Sequence, residues 1–188
     1  QSGTRQHVEL LLANGVAPDV KDNHGTTPLM LAAGRGNSPE REGIIKLLIA
    51  AGADVFAINK VNNTVFDIAM DSAQSRAIGA ILDAAKLDPS RPVPYGRTLV
   101  NMAIQRGKRK AALEELLMRG ATLTKKDAEG RTALHVAIEK GDSEMVSYVL
   151  DRAPDLAKEL ASDAASYLNL ATERADRAVV SVLLERGS

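Results

Sequence analysis

The 188-residue chain contains neither cysteine nor tryptophan. The first absence excludes disulfides and thiolate metal centres, and it leaves the redox compartment open. Aromatics make up only 3% of the residues, with two Phe, so the core has to be built from Leu, Ile, Val and Ala. Each of these side chains buries little area, so helices must approach one another closely. An excess of one charge is also missing: 24 basic residues balance 24 acidic ones. No overall field therefore draws the chain toward nucleic acid or a membrane surface. Long apolar runs are absent too. The longest, Ile44 to Val55, is interrupted by Lys46 and Asp54 and falls short of the roughly 20 residues of a membrane span. Gln1 to Gln6 is polar and Leu10–Leu12 is short, so no signal peptide is read at the start. A soluble, intracellular protein without a membrane partner is the expectation.

What the chain does have is an internal repeat. Five segments align: Thr27-Pro-Leu-Met-Leu-Ala, Thr64-Val-Phe-Asp-Ile-Ala, Thr98-Leu-Val-Asn-Met-Ala, Thr132-Ala-Leu-His-Val-Ala and Ser166-Tyr-Leu-Asn-Leu-Ala. Their first residues are 37, 34, 34 and 34 apart. Each opens on a hydroxyl residue suited to cap a helix. Each carries Ala at its sixth place (Ala32, Ala69, Ala103, Ala137, Ala171), as close helix packing requires. A second helix follows, marked by the pairs Leu11/Leu12, Leu48/Ile49, Ile81/Leu82, Leu116/Leu117, Val149/Leu150 and Leu183/Leu184. An apolar residue three places earlier (Val8, Ile45, Ile78, Leu113, Val146, Val180) completes one apolar stripe per helix. Gly15, Gly52, Gly120 and Gly187 punctuate helix ends.

These residues resemble the ankyrin repeat family, whose helix start reads Thr-Pro-Leu-His-x-Ala and whose second helix runs into Gly-Ala-Asp and a turn. Thr27–Ala33 with Gly52-Ala-Asp-Val, and Gly120-Ala-Thr through His135, carry the likeness best. The resemblance implies an all-α solenoid of stacked helix-turn-helix repeats joined by short β-turn or hairpin linkers. It divides the single domain 1–188 into a half repeat at 1–24 and repeats at about 25–61, 62–95, 96–129, 130–163 and 164–188. The family's His survives only at His135, replaced elsewhere by Met30, Asp67, Asn101 and Asn169. His135 is expected to bond into the adjoining turn. Extra residues between Arg35 and Gly43, including Ser38-Pro39, predict a protruding loop. Pro89, Pro92 and Pro94 are expected to disrupt hairpin bonding in their linker, and Pro154 to Ala165 reads as helical instead of as a hairpin. Residues 7 to 15 form a second helix without a first, and neither end reads as a polar cap. A fragment of a longer protein, with flanking repeats or domains, is the expectation.

Reactive chemistry has no foothold in the pattern. His7, His24 and His135 are scattered, and Gly34-Arg-Gly36 lacks the Lys-Ser/Thr of a phosphate loop. No catalytic residue, cofactor or metal is expected. Charge is nonetheless uneven along the chain: residues 97–131 hold nine basic residues against four acidic ones. That segment reads as a solvated face or as a docking patch for an acidic partner. Lys108-Arg-Lys110 alone is too short for a nuclear import signal.

In the resembling family, the binding groove is lined by turn tips and the outward ends of the first helices. Carried onto this chain, it comprises His24, Arg35, Lys60, Tyr95, Arg97, Gln105, Arg106, Glu129, Arg131, Glu139 and Lys140, with Glu173/Arg174 in the last repeat. Interface anchors are typically aromatic or Arg, which singles out Tyr95, Arg97, Arg106 and Arg131. Tyr95 also has the alternative of packing on its Pro-rich linker. The expected function is a non-catalytic scaffold that binds a partner protein or peptide. The rival readings are a regulatory or substrate-recruiting domain of a larger enzyme, and binding of an acidic or nucleic-acid partner by residues 97–131. Aromatic stacking residues are absent from that patch, which argues against nucleic acid. Reversing Arg97, Arg106 and Arg131 is expected to abolish binding and leave the fold intact.

Overall fold

The computed structural model describes residues 3–35, 38–72, 75–106, 110–173 and 176–186. The readings placed on Gly36, Lys108-Arg109, Arg174 and Gly187 lie outside these residues. Among the described residues there are twelve α-helices, one 3-10 turn and no strand. None of the helices is long and apolar enough to cross a membrane.

Helix α1 (Gly3–Ala13) stands alone, and four hairpins follow: α2 (Pro28–Gly34) with α3 (Pro39–Ala50), α4 (Val65–Asp71) with α5 (Ser75–Ala85), α6 (Leu99–Gln105) with α7 (Lys110–Met118), and α8 (Ala133–Lys140) with α9 (Ser143–Arg152). Then come α10 (Pro154–Ser162) and a last hairpin of α11 (Ala164–Glu173) and α12 (Arg177–Arg186). The short first helices form one row, α2 on α4 on α6 on α8 on α11. The second helices form another, in which α1, α3, α5 and α7 follow in sequence and α9 meets α12. This is the stacked all-α solenoid that the repeat spacing predicts.

Local chemistry explains where the first helices begin. Thr27, Thr64 and Thr98 are buried N-caps whose hydroxyls accept the backbone N–H three residues on, at 3.3, 3.3 and 3.0 Å. Buried without such bonds, those N–H groups would each be costly. All five repeat alanines are buried in the seam between rows. Second helices end where residue 15, 52, 86 or 120 turns through positive φ. There the N–H of Val16, Ala53, Leu87 and Ala121 reaches back to the carbonyl of Leu11, Leu48, Leu82 and Leu116 at 3.0–3.1 Å. Three of the four turning residues are glycine; the third is Lys86, at φ 51.

Several expectations are corrected. Ser166 does not open α11. The chain leaves α10 and turns at Asp163, whose Oδ1 accepts the Ser166 N–H at 3.4 Å, so the helix starts at Ala164 and Ser166 lies inside it. A carboxylate placed earlier takes the cap before the hydroxyl can. The Ser38-Pro39 insertion does not simply protrude: Ser38 caps α3 through the Arg41 N–H at 3.3 Å, and Pro39 starts the helix. The Pro-rich linker keeps the bond that closes its turn, from the Val93 N–H to the Arg97 carbonyl at 2.9 Å. Equivalent bonds close the other turns, from Asp22 to Thr26, Asn59 to Asn63 and Asp127 to Arg131. His135 does not reach an adjoining turn, because α10 stands where that turn would be. Its Nδ1 meets the Thr132 N–H at 3.3 Å and the Thr132 hydroxyl at 2.9 Å, and its ring lies 4.8 Å from that of Tyr167.

Candidate functional site

Each of the four turns leads into the N-terminal cap of a first helix, and Arg106 and Glu139 at the C-terminal ends of first helices reach the turn residues Asn63 and Arg131. Three of the turns are built alike. Asp22 Oδ1 accepts the N–H groups of His24 and Thr26, Asn59 Oδ1 those of Val61 and Asn63, and Asp127 Oδ1 those of Glu129 and Arg131. Such side-chain bonding makes each tip a fixed platform. In the remaining turn the corresponding residue is Val93, which offers no acceptor. Its tip is Pro94–Gly96, with Tyr95 at φ 66 and Gly96 at φ 65.

The missing carboxylate at Val93 is replaced from the preceding first helix, α4. Asp67 is fully buried at the third position of α4. Its Oδ1 receives Arg97 Nη1 at 2.9 Å and Arg106 Nη2 at 2.8 Å. Its Oδ2 receives Arg97 Nη2 at 3.0 Å and the Thr64 N–H and hydroxyl at 2.8 Å each. Burial alone would raise the Asp67 pKa. The Arg97 fork and the Thr64 bonds outweigh burial and hold it below the usual carboxylate range. Arg106 also pairs with Asp71 and reaches Asn63 Oδ1 at 3.3 Å.

One turn further along the roles are exchanged. Arg131 binds its own turn's Asp127 through Nε at 3.1 Å, and it reaches Glu129 and Glu139 at 3.3 Å each. Asn101, at the α6 position equivalent to Asp67, donates Nδ2 to Asp127 at 3.0 Å and to the Arg131 carbonyl at 2.9 Å. Burial opposes ionisation of Asp127, and the Arg131 N–H, Asn101 and the Arg131 guanidinium together keep its pKa low. Lys140 donates to the Gln105 and Ile104 carbonyls at 2.6 and 3.2 Å, closing the end of α6.

The residues expected to line a groove are therefore neighbours, but they differ in what they offer. Arg97, Arg106 and Arg131 are held by carboxylates, Glu129 and Glu139 by Arg131, and Lys140 by backbone carbonyls. His24, Arg35, Lys60 and Gln105 expose their side chains at tips and helix ends. Tyr95 is 56% exposed, and its hydroxyl donates to Asn62 Oδ1 of the preceding tip at 3.2 Å. The Arg97 guanidinium lies 5.7 Å from the centre of its ring. Glu173 is exposed at the end of α11.

Two expectations change with this geometry. Reversing Arg97, Arg106 and Arg131 is now expected to destabilise the fold, because it sets carboxylates against the buried Asp67. Several cations of the basic stretch 97–131 are also paired in space: Lys110 meets Glu144 at 3.7 Å, and Arg119 meets Asp83 and Glu115 at 2.9 Å each. Lys125 and Lys126 keep their charge in the open. Sequence reasoning missed the role of Asp67. The available signal was that a turn without its acid (Val93) follows a helix that carries one.

Further along, a cavity of about 310 Å³ opens between α8 and α11, lined by His135, Glu139, Tyr167, Asn169 and Glu173 among others. Burial holds the His135 imidazole below its ordinary pKa despite nearby Glu159 and Glu139. Burial and Glu159 together push the Tyr167 phenol well above its ordinary value. No group of three or more His, Cys, Asp or Glu able to hold a metal ion occurs among the described residues.

Comparison with known proteins agrees with the architecture. A stretch of 75 residues is 37% identical to an ankyrin repeat protein of Fowlpox virus (strain NVSL). It covers 40% of this chain but only 11% of that relative, so the chain spans a small part of the viral protein's length. The family description "Ankyrin repeats (3 copies)" matches residues 1–91, 72–160 and 100–188. With the capped helix pairs, the two-row stack and a family match from end to end, this chain belongs to the ankyrin repeat family.

Proposed function

We propose that this chain is a non-catalytic module that binds a partner protein or peptide across the edge formed by its turn tips and first-helix ends. The units doing so are the repeats at about 25–61, 62–95, 96–129 and 130–163. Proteins of this family generally act through protein–protein contacts. The single observation that carries the reading is Tyr95, an aromatic ring held in the open at an exposed tip, on a backbone conformation that a bulky residue adopts at a cost. Strain kept where a glycine would relieve it, at a residue type favoured as an interface anchor, supports reading this tip as a contact surface.

The test compares two variants in a pull-down read by mass spectrometry. Arg35→Glu, Lys60→Glu and Gln105→Glu combined alter exposed side chains of the proposed edge, and Met118→Lys alters an exposed site (77%) on the second-helix row. A partner retained by wild type and Met118→Lys but lost from the triple variant supports the proposal. A partner lost from Met118→Lys and retained by the triple variant overturns it.

A further inference from the structure

The tips are joined to one another by backbone hydrogen bonds, and one such joint is open. The Lys60 N–H donates to the His24 carbonyl at 3.0 Å, linking the first and second tips. The Ala128 N–H donates to the Gly96 carbonyl at 3.0 Å, linking the third and fourth. In the repeat register the third turn carries Pro94 at the Lys60 position, and proline has no N–H to give. The Val61 carbonyl, at the His24 position, accordingly accepts no hydrogen bond among the described residues. Val61 is 71% exposed, so this acceptor belongs to a residue that stands largely uncovered. Across the seam stands Tyr95, tied to Asn62 by its hydroxyl. Asn62 and Tyr95 are both at positive φ, 60 and 66. Lys60 adjoins the seam, and Lys125 and Lys126 precede the next tip; all three are exposed and lack an ion pair among the described residues.

We propose that the seam between the second and third tips anchors an extended, acidic segment of a partner protein through one aromatic or large aliphatic side chain. The inference rests on the partner-binding reading above. The segment's backbone N–H takes the unpaired Val61 carbonyl, as an added strand takes an open edge. Its apolar side chain lies against Val61 and the Tyr95 ring, whose flat face stacks well and loses little freedom because the hydroxyl is already held. Its carboxylates meet Lys60, Lys125 and Lys126. The other two joints are already closed by a tip-to-tip hydrogen bond, to the His24 and Gly96 carbonyls.

The probe is the peptide acetyl-Glu-Asp-Ile-Phe-Ile-Glu-Asp-amide, titrated into the 15N-labelled chain. Shifts that saturate at Val61, Asn62 and Gly96 are expected. Replacing the central Phe by Ala, or all four acids by Lys, should weaken binding at least tenfold. Two variants separate contact from folding. Tyr95→Gly should raise the melting temperature and weaken binding at least tenfold, and Pro94→Ala, which restores an N–H for Val61, should weaken it too. Unchanged affinity in Tyr95→Gly, equal binding of the Lys peptide, or no shifts at the tips overturns the seam. Shifts confined to Arg35 and Gln105 would overturn the seam while leaving the partner-binding reading standing.

Discussion

At the scale of single residues, Asp67 ties two repeats together. It is fully buried and held by Arg97, Arg106 and Thr64. Asp67→Asn leaves Arg97 without a charged partner and Arg106 with Asp71 alone, and removing one partner of a buried pair typically costs about 3 kcal/mol or more. Urea denaturation should show that loss directly. The pH dependence follows from the lowered pKa of Asp67. The unfolded carboxylate binds protons first, so this stabilisation is complete above the ordinary Asp range. It disappears as pH falls through the depressed folded value. The acid side of a stability–pH profile should therefore be flatter in Asp67→Asn than in wild type. Lys86 offers a test of opposite sign. It turns the end of α5 at φ 51 where Gly15, Gly52 and Gly120 do so elsewhere. Lys86→Gly should stabilise the chain by about 0.5–1 kcal/mol, the left-handed penalty less glycine's entropy, measurable as a rise in Tm.

At the scale of elements, the region 153–166 shows how one change in a linker resets its neighbours. Pro154 begins α10 in place of a hairpin, and Leu156 and Leu160 bury its inner face. With the chain delivered as a helix, Asp163 becomes the cap of α11 and Ser166 an ordinary exposed residue of it. Asp163→Ala should cost about 1 kcal/mol and Ser166→Ala close to nothing in thermal denaturation. A larger loss at Ser166 would restore the hydroxyl as the cap. The helical character of this linker was legible in Asp-Leu-Ala-Lys-Glu-Leu. The shifted cap was not, because alignment by repeat spacing favours the residue at the right distance over the one that the preceding helix presents.

At the scale of the whole molecule, equal places in the repeat are not equal in energy. Leu150 in α9 and Leu184 in α12 occupy the same slot, yet Leu150 is 4% exposed and Leu184 56%. Leu150→Ala should cost about 2–5 kcal/mol, as large-to-small changes in a packed core do. Leu184→Ala should stay within about 0.5 kcal/mol, as exposed substitutions do. Chemical denaturation of the two variants checks this. Periodicity identified the stripe on each helix, but only the stack shows which stripes are covered from both sides.

The amino-acid order by itself determined the repeat, the two helices per unit, the alanine seam and the buried threonine caps. These follow from local capping and from spacing near 3.6 residues per turn, which act over a few neighbours along the chain. The candidate tips were legible for the same reason. Only the tertiary structure decided that Arg97 and Arg106 close on Asp67, 30 and 39 residues away, so that these cations of the basic stretch are paired in space. It alone decided that Pro94 leaves the Val61 carbonyl open. Charge pairing and tip-to-tip bonding depend on which repeats lie side by side at ångström distances, and sequence separation does not encode that.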